Sequence, residues 1–225
     1  MPVVKLNGIV LTTYRYSESS VILKCYTDQF GLQSYMITGI HGKKAAIKPS
    51  HLLPLTLLEL ESYQHQNRTL KRIRELKCTP VLQHIHVDMV KIAITVFMAE
   101  VLLKSIHEEN ESDTGLFGFL YQAIYALDGA TGNCANFPAS FLLKLSEYLG
   151  FSLAVPLLNE LSMLSSGITT EMTKLMEAPL EAESQFKFNN SERRMMVDMI
   201  LKHYQQHIGQ FGQLKSVAIL KTIFE

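Results

Sequence analysis

Cysteine is sparse in this 225-residue chain: Cys25, Cys78 and Cys134 stand far apart and form no CxxC pair. An odd, scattered set argues against a disulfide framework and fits reduced thiols in a cytoplasmic protein. No apolar run is long enough to cross a bilayer, because Lys, Glu or His interrupts the longest stretches, as Lys91 and Glu100 bracket IAITVFMA. The opening MPVVKLNGIVL lacks a basic segment followed by a long apolar stretch, so no export signal and no membrane partner are expected. Net charge is missing too, since 21 basic residues balance 21 acidic ones. There is no internal repeat and no low-complexity tract, which sets aside solenoid and disordered classes.

Chemical motifs are equally scarce. G-x-S-x-G and HExxH are absent, and no cysteine has the neighbours of an activated nucleophile, so no catalytic residue is named. The carboxylates at 108–113 read as a solvated acidic loop. His203 and His207 lie four apart on a predicted helix, and His84 and His86 lie two apart beside a helix start. Neither pair has the further ligands a zinc site needs, so no metal and no cofactor is expected.

What is present is globular composition: 47% hydrophobic and 19% charged residues, enough to bury one sizeable core or two small ones. The charge is unevenly placed. Residues 1–80 carry eleven basic and five acidic side chains, net +6, and residues 81–225 carry ten and sixteen, net −6. A polyanion would therefore meet the first part.

The first part reads as strands. Residues 3–14 and 20–27 are β-branched and aromatic, with a turn at Tyr16, Ser17, Glu18 and Ser19. A second turn at Asp28–Gly31 leads into an extended run to Ile40. Residues 54–63 and 68–79 supply two more. Five strands, with a long excursion after the third, predict a small closed barrel of the oligonucleotide/oligosaccharide-binding (OB) or SH3-like kind; in the OB case that excursion often holds a helix. From Pro80 the period changes to helical. Apolar residues at Val87, Val90, Ile94, Phe97, Met98, Val101 and Leu102 predict a helix over 86–107. Further helices are predicted over 114–127, capped by Thr114, and over 137–149, 191–208 and 214–224. The fold class is α+β, a barrel over 1–79 followed by an all-α helical domain over 80–225.

The excursion TGIHGKKAAIKPS resembles a phosphate cradle only superficially. A Walker loop needs two glycines four residues apart followed by Lys and a hydroxyl. Gly39 and Gly42 are too close, and Lys43 is followed by Lys44. The GXXG of a KH domain joins two helices, whereas this one leaves a strand. What remains is a loop whose Lys43, Lys44 and Lys48 approach phosphates as point charges. Arg68, Lys71, Arg72, Arg74 and Lys77 crowd a neighbouring strand, and Arg15 and Lys24 add to the set, so one basic groove is expected. Tyr14, Tyr16, Tyr26 and Tyr35 are candidate stacking platforms for unpaired bases.

With these pieces in place, the sequence resembles the bacterial recombination mediator family RecO. The resemblance rests on GIVLTTYRYSESSVILKCYTDQFGLQSYMITGIHGKK, on FMAEVLLKSIHEENESDTGLFGFLYQAIYALD, and on FLLKLSEYLGFSLAVP with the closing HIGQFGQLKSVAIL. It implies an OB-fold barrel with a helical domain that binds single- and double-stranded DNA and anneals complementary strands. It also implies partnership with RecR, contact with the acidic tail of single-stranded-DNA-binding protein (SSB), and help in loading the RecA recombinase, with no bond made or broken. Many members carry a four-cysteine zinc module after the LGF…P segment. Residues 157–190 contain no cysteine and are expected to be held by packing alone. An acidic tail would need an apolar pocket edged by cations, for which Lys104 and Lys144 are candidates. Two other readings keep the composition but change the role: a helical protein-contact adaptor with secondary DNA binding, and a hydrolase with a site assembled from distant residues.

Overall fold

A computed structural model describes residues 3–40, 47–63, 69–108, 112–162 and 166–224. Two compact units result, Met1–His86 with Ile106–Tyr121, and Val87–Ser105 with Gln122–Glu225.

In the first unit β1 (Val3–Arg15), β2 (Ser20–Thr27), β3 (Gly31–Thr38), β4 (Leu57–Tyr63) and β5 (Leu70–Cys78) close a barrel in the order β1-β2-β3-β5-β4. The β3–β5 pair is parallel and the others are antiparallel. This is the OB fold, not the SH3-like alternative. Closure depends on the long first strand. Its first half pairs with β4, from Val3 opposite Tyr63 to Ile9 opposite Leu57. Its second half pairs with β2, and a bulge between Val10 and Thr12 bends it from one partner to the other. Gly8 sits at the crossing, opposite both Thr27 and Leu58. A Cβ there would lie 2.5 Å from Cys25 Sγ, so only glycine lets the two strands approach this closely.

Alternation places Leu6, Val10, Leu23, Cys25, Tyr35, Ile37, Leu58, Leu60 and Leu76 inside the barrel. Burial pushes the Cys25 thiol far above its ordinary pKa, so it packs as a small apolar group. The described part of the excursion after β3 contains a 3-10 turn, Pro49–Leu52, whose Leu52 joins this core.

The helical residues form α1 (Met89–Ser105), α2 (Thr114–Gly129), α3 (Phe137–Tyr148), α4 (Ala154–Ser162), α5 (Ser166–Glu177), α6 (Asn190–His207) and α7 (Ser216–Ile223). Ile94, Phe97, Met98, Val101 and Leu102 of α1 are fully buried, as their spacing predicts. Lys91 is buried as well, and its ammonium donates to the carbonyls of Asp128 (2.7 Å) and Ala130 (2.8 Å) at the C-terminal end of α2. The cap of α2 is Asp113, not Thr114: Asp113 Oδ1 accepts the Leu116 N–H at 3.0 Å. Asn189 and Glu192 form a reciprocal capping box at the start of α6.

Residues 157–190 lie in α4, α5 and a 3-10 turn, Leu180–Gln185. Leu157, Leu161, Met172 and Leu175 are buried to within 1%. The amide of Asn136 donates to the carbonyls of Glu183 and Phe186, both at 2.9 Å, and Glu183 Oε2 accepts the Asn136 N–H at 3.1 Å. Apolar packing and this polar knot hold the segment to the start of α3.

Candidate nucleic-acid interface

The barrel's outer surface consists of rows of residues that face one another across the strands. One row runs Tyr14–Ile22–Met36–Arg72–Tyr63 through β1, β2, β3, β5 and β4. Tyr14 is 51% exposed, Arg72 is exposed, and Ile22, Met36 and Tyr63 are half-buried. Arg15, beside Tyr14 at the end of β1, is exposed, as is Tyr16 in the turn that follows. Neither Arg15 nor Arg72 has a carboxylate partner among the described residues. Gly39 and Ile40 donate backbone N–H groups to the Ser19 carbonyl at 2.8 and 3.2 Å. The excursion therefore leaves the barrel beside Arg15, and the β4–β5 connection leaves directly from Tyr63. Open aromatic faces next to exposed guanidinium groups are what a single strand needs: stacking for bases and positive charge for phosphates.

Two residues further along each strand, about 7 Å away, the next outer row is Thr12–Lys24–Ser34–Leu70. This row is covered. Glu108 Oε1 forms an ion pair with Lys24 and accepts a hydrogen bond from Ser34 Oγ at 2.6 Å. Burial alone would raise the Glu108 carboxyl. Hydrogen bonds from Lys24 and Ser34, together with the charges of Lys24 and Lys71, outweigh it and leave the group below its ordinary value. Beyond it, Tyr26 is buried, with its ring 6.3 Å from that of Phe117 and near-parallel to it.

The predicted cations thus separate. Arg15 and Arg72 border the open row. Lys48 is exposed at the start of the 3-10 turn, where its carbonyl accepts the His51 N–H at 3.0 Å. Lys24 is engaged by Glu108. Lys71 is half-buried, donates to Gln33 Oε1 and lies 5.2 Å from the centre of the Phe30 ring; burial lowers its pKa. Arg74 and Lys77 belong to a mixed-charge face of β1, β4 and β5. There Arg74 meets Glu61 at 3.6 Å, Lys5 meets Glu61 at 3.4 Å and Lys77 meets Glu75 at 2.9 Å. A bulge between Glu61 and Ser62 in the β4–β5 pairing separates Arg72 from this cluster. Lys43, Lys44 and Arg68 lie outside the described residues. Of the candidate stacking rings, Tyr14 and Tyr16 are open. Tyr26 is covered by Phe117, and Tyr35 is in the barrel core at 0% exposure because it falls on the inward phase of β3. Tyr63, Ile22 and Met36 carried no signal of their own, since only the strand register brings them into line.

In the helical unit Lys104 donates to the carbonyls of Phe211 (2.9 Å) and Gln213 (2.7 Å), and Lys144 to that of Met176 (3.4 Å). A separate small apolar cavity opens between α6, α7 and the start of α3. Ala135, Pro138, Leu220 and Phe224 line it together with Arg193, which donates to the Phe188 carbonyl and Asn190 Oδ1, and Lys221, which meets Asp198 at 3.1 Å. His207 stacks on Phe151 at 4.7 Å, and its Nδ1 lies 2.9 Å from the His203 carbonyl. His203 itself is buried, with Nε2 3.2 Å from Glu160 Oε1. Among the described residues no three His, Cys, Asp or Glu side chains converge as a metal site requires, and no helix is long and apolar enough to cross a membrane.

A closed OB barrel with an open aromatic and cationic row, continued by a helical unit, defines an OB-fold protein of the architecture that binds oligonucleotides. The family models Recombination protein O N terminal and Recombination protein O C terminal match residues 1–81 and 86–155. The DNA repair protein RecO of Flavobacterium psychrophilum is 31% identical over 238 residues, 98% of this chain and 99% of its own length. Those of Flavobacterium johnsoniae and Bacteroides fragilis are each 32% identical, over 237 and 243 residues, with the same coverage. The chain belongs to the RecO family.

Proposed function

We propose that the protein acts in DNA repair and homologous recombination as a mediator that makes and breaks no covalent bond. It binds single- and double-stranded DNA on the barrel and anneals complementary strands. With RecR it helps load RecA onto single strands coated by SSB. The observation that carries the reading is the open row on the OB barrel, flanked by Arg15 and by the start of the lysine-bearing excursion. Arg15 and Arg72 neutralise phosphates while Tyr14 and Tyr63 take base faces, and neither contact uses the base edges that must pair during annealing. Membership of a family whose curated relatives are named DNA repair proteins supports the same role.

The acidic SSB tail is assigned to the helical unit. Lys104 and Lys144, the first candidates for its seat, spend their ammonium groups on backbone carbonyls. The cavity between α6 and α7 has an apolar lining, and although Arg193 there is held by the Phe188 carbonyl and Asn190, Lys221 is in an exposed ion pair with Asp198 (3.1 Å) that an incoming carboxylate can replace.

Affinity for a labelled oligothymidylate, measured against salt, tests the DNA-binding part. The log–log slope should reflect several neutralised phosphates. Arg72→Ala should make it shallower by about 0.7 and weaken binding roughly fivefold at low salt. Unchanged affinity and slope in a folded Arg72→Ala variant would remove the row from the site.

A further inference from the structure

The covered half of the outer β2–β3 face is where an OB barrel ordinarily takes a nucleic acid, and a single carboxylate occupies its polar centre. Lys24 and Ser34 are directly opposite each other on β2 and β3. Glu108 Oε1 takes hydrogen bonds from both. An ammonium and a hydroxyl aimed at one anionic oxygen are also the donors that hold a phosphodiester oxygen. The seat adjoins the open row: Lys24 and Ser34 are two residues from Ile22 and Met36 on the same outward phase, about 7 Å along the strands. The Glu108 side chain is 36% exposed and that of Lys24 27%, so water reaches the pair and an incoming anion can compete for it. The segment behind it has its own anchors, since Leu116, Phe119 and Leu120 are buried and Asp113 caps α2. Release of Glu108 leaves those contacts intact.

We propose that Glu108 is an intramolecular stand-in for a phosphate. It holds the Lys24–Ser34 seat in the free protein, and a single strand lying along the open row displaces it and places a backbone phosphate there. The inference rests on the reading that the barrel's outer face binds single strands. In the free protein the carboxylate shortens the site to one row, and DNA of sufficient length extends it. Lys24 exchanges one anionic partner for another, so wild-type binding gains contact area with little added salt dependence.

The test uses the full-length protein and a labelled oligothymidylate. Glu108→Gln keeps an acceptor for Ser34 but removes the charge that competes with phosphate. It should bind roughly fivefold more tightly at low salt, with a slope steeper by about 0.7, the single-strand value for one more neutralised phosphate. Adding Lys24→Gln should cancel that gain. Glu59→Gln makes the same change of net charge opposite Lys77 on the mixed-charge face of β4 and β5, and should leave the slope unchanged. A Glu108→Gln variant that binds like wild type, or whose gain survives Lys24→Gln, overturns the proposal and makes Glu108 only a latch between its segment and the barrel. A measurement on the wild type serves if the variant does not fold. Amide exchange in the 106–108 stretch should rise when the oligonucleotide binds, and unchanged or slower exchange overturns the displacement. Failure of the underlying reading looks different, because the wild-type protein would then not bind the oligonucleotide at all.

Discussion

Glu100 and Lys104 stand one turn apart on α1 and hold the two ends of one connection. Lys104 takes the Phe211 and Gln213 carbonyls, and Glu100 accepts the N–H groups of Lys215 (3.0 Å) and Ser216 (2.8 Å) and the Ser216 hydroxyl at the start of α7. Burial tends to raise the Glu100 carboxyl. The bonds from Ser216 and Lys215 and the charge of Lys104 outweigh it, so the folded pKa lies below the ordinary carboxylate value. A depressed acid stabilises the fold above its unfolded pKa and loses that contribution as pH falls through its folded pKa. Glu100→Gln should therefore cost about 1 kcal/mol at neutral pH, the usual worth of a helix cap, and the gap from wild type should close in acid. Chemical unfolding at neutral pH and at pH well below the carboxylate range checks this. None of it could be read from α1 alone, because the partners lie more than a hundred residues away. The same limit applies to Tyr26 and Lys24. Period-two alternation puts both on the outward face of β2, but nothing local shows that Phe117 and Glu108 cover them.

At the scale of the element, the five strands were legible because alternation, turn residues and β-branched runs agreed, and they lie within a few residues of where those signals placed them. The OB topology was not legible from pattern, since the parallel β3–β5 pair and the Val10/Thr12 bulge are register facts. The basic strand shows the cost of that gap. Arg72 and Arg74 sit two residues apart in sequence, yet the β4–β5 bulge sends one to the open row and the other among carboxylates. The α4 and α5 segments gave weak signals because both are short and each holds a helix breaker near its start, Pro156 in α4 and Gly167 in α5; the two helices pack against each other. The excursion between β3 and β4 is proposed as a phosphate rail on the strength of its three lysines. Replacing Lys43, Lys44 and Lys48 together by alanine should lower the salt slope of single-strand binding by about 2, three phosphates at roughly 0.7 each. An unchanged slope would take the excursion out of the site.

At the scale of the whole chain, the uneven charge was the clearest sequence signal of function: net +6 over residues 1–80 and −6 over the remainder. The positive part coincides with the OB barrel, where attraction to a polyanion would supply affinity. The negative part is helical, with caps and carbonyl clamps using many of its cations. The proposed function divides the labour accordingly: a barrel that engages backbones without reading bases, and a helical unit that meets protein partners. Annealing needs the barrel to neutralise two repelling strands while their base edges stay free. The measurement closest to this claim is the rate at which two complementary oligonucleotides, one carrying a fluorophore and the other a quencher, form a duplex with and without the protein. The account predicts annealing well above the spontaneous rate at low salt, slowed by Arg72→Ala and suppressed as salt rises. Annealing that stays at the spontaneous rate under all these conditions would contradict it.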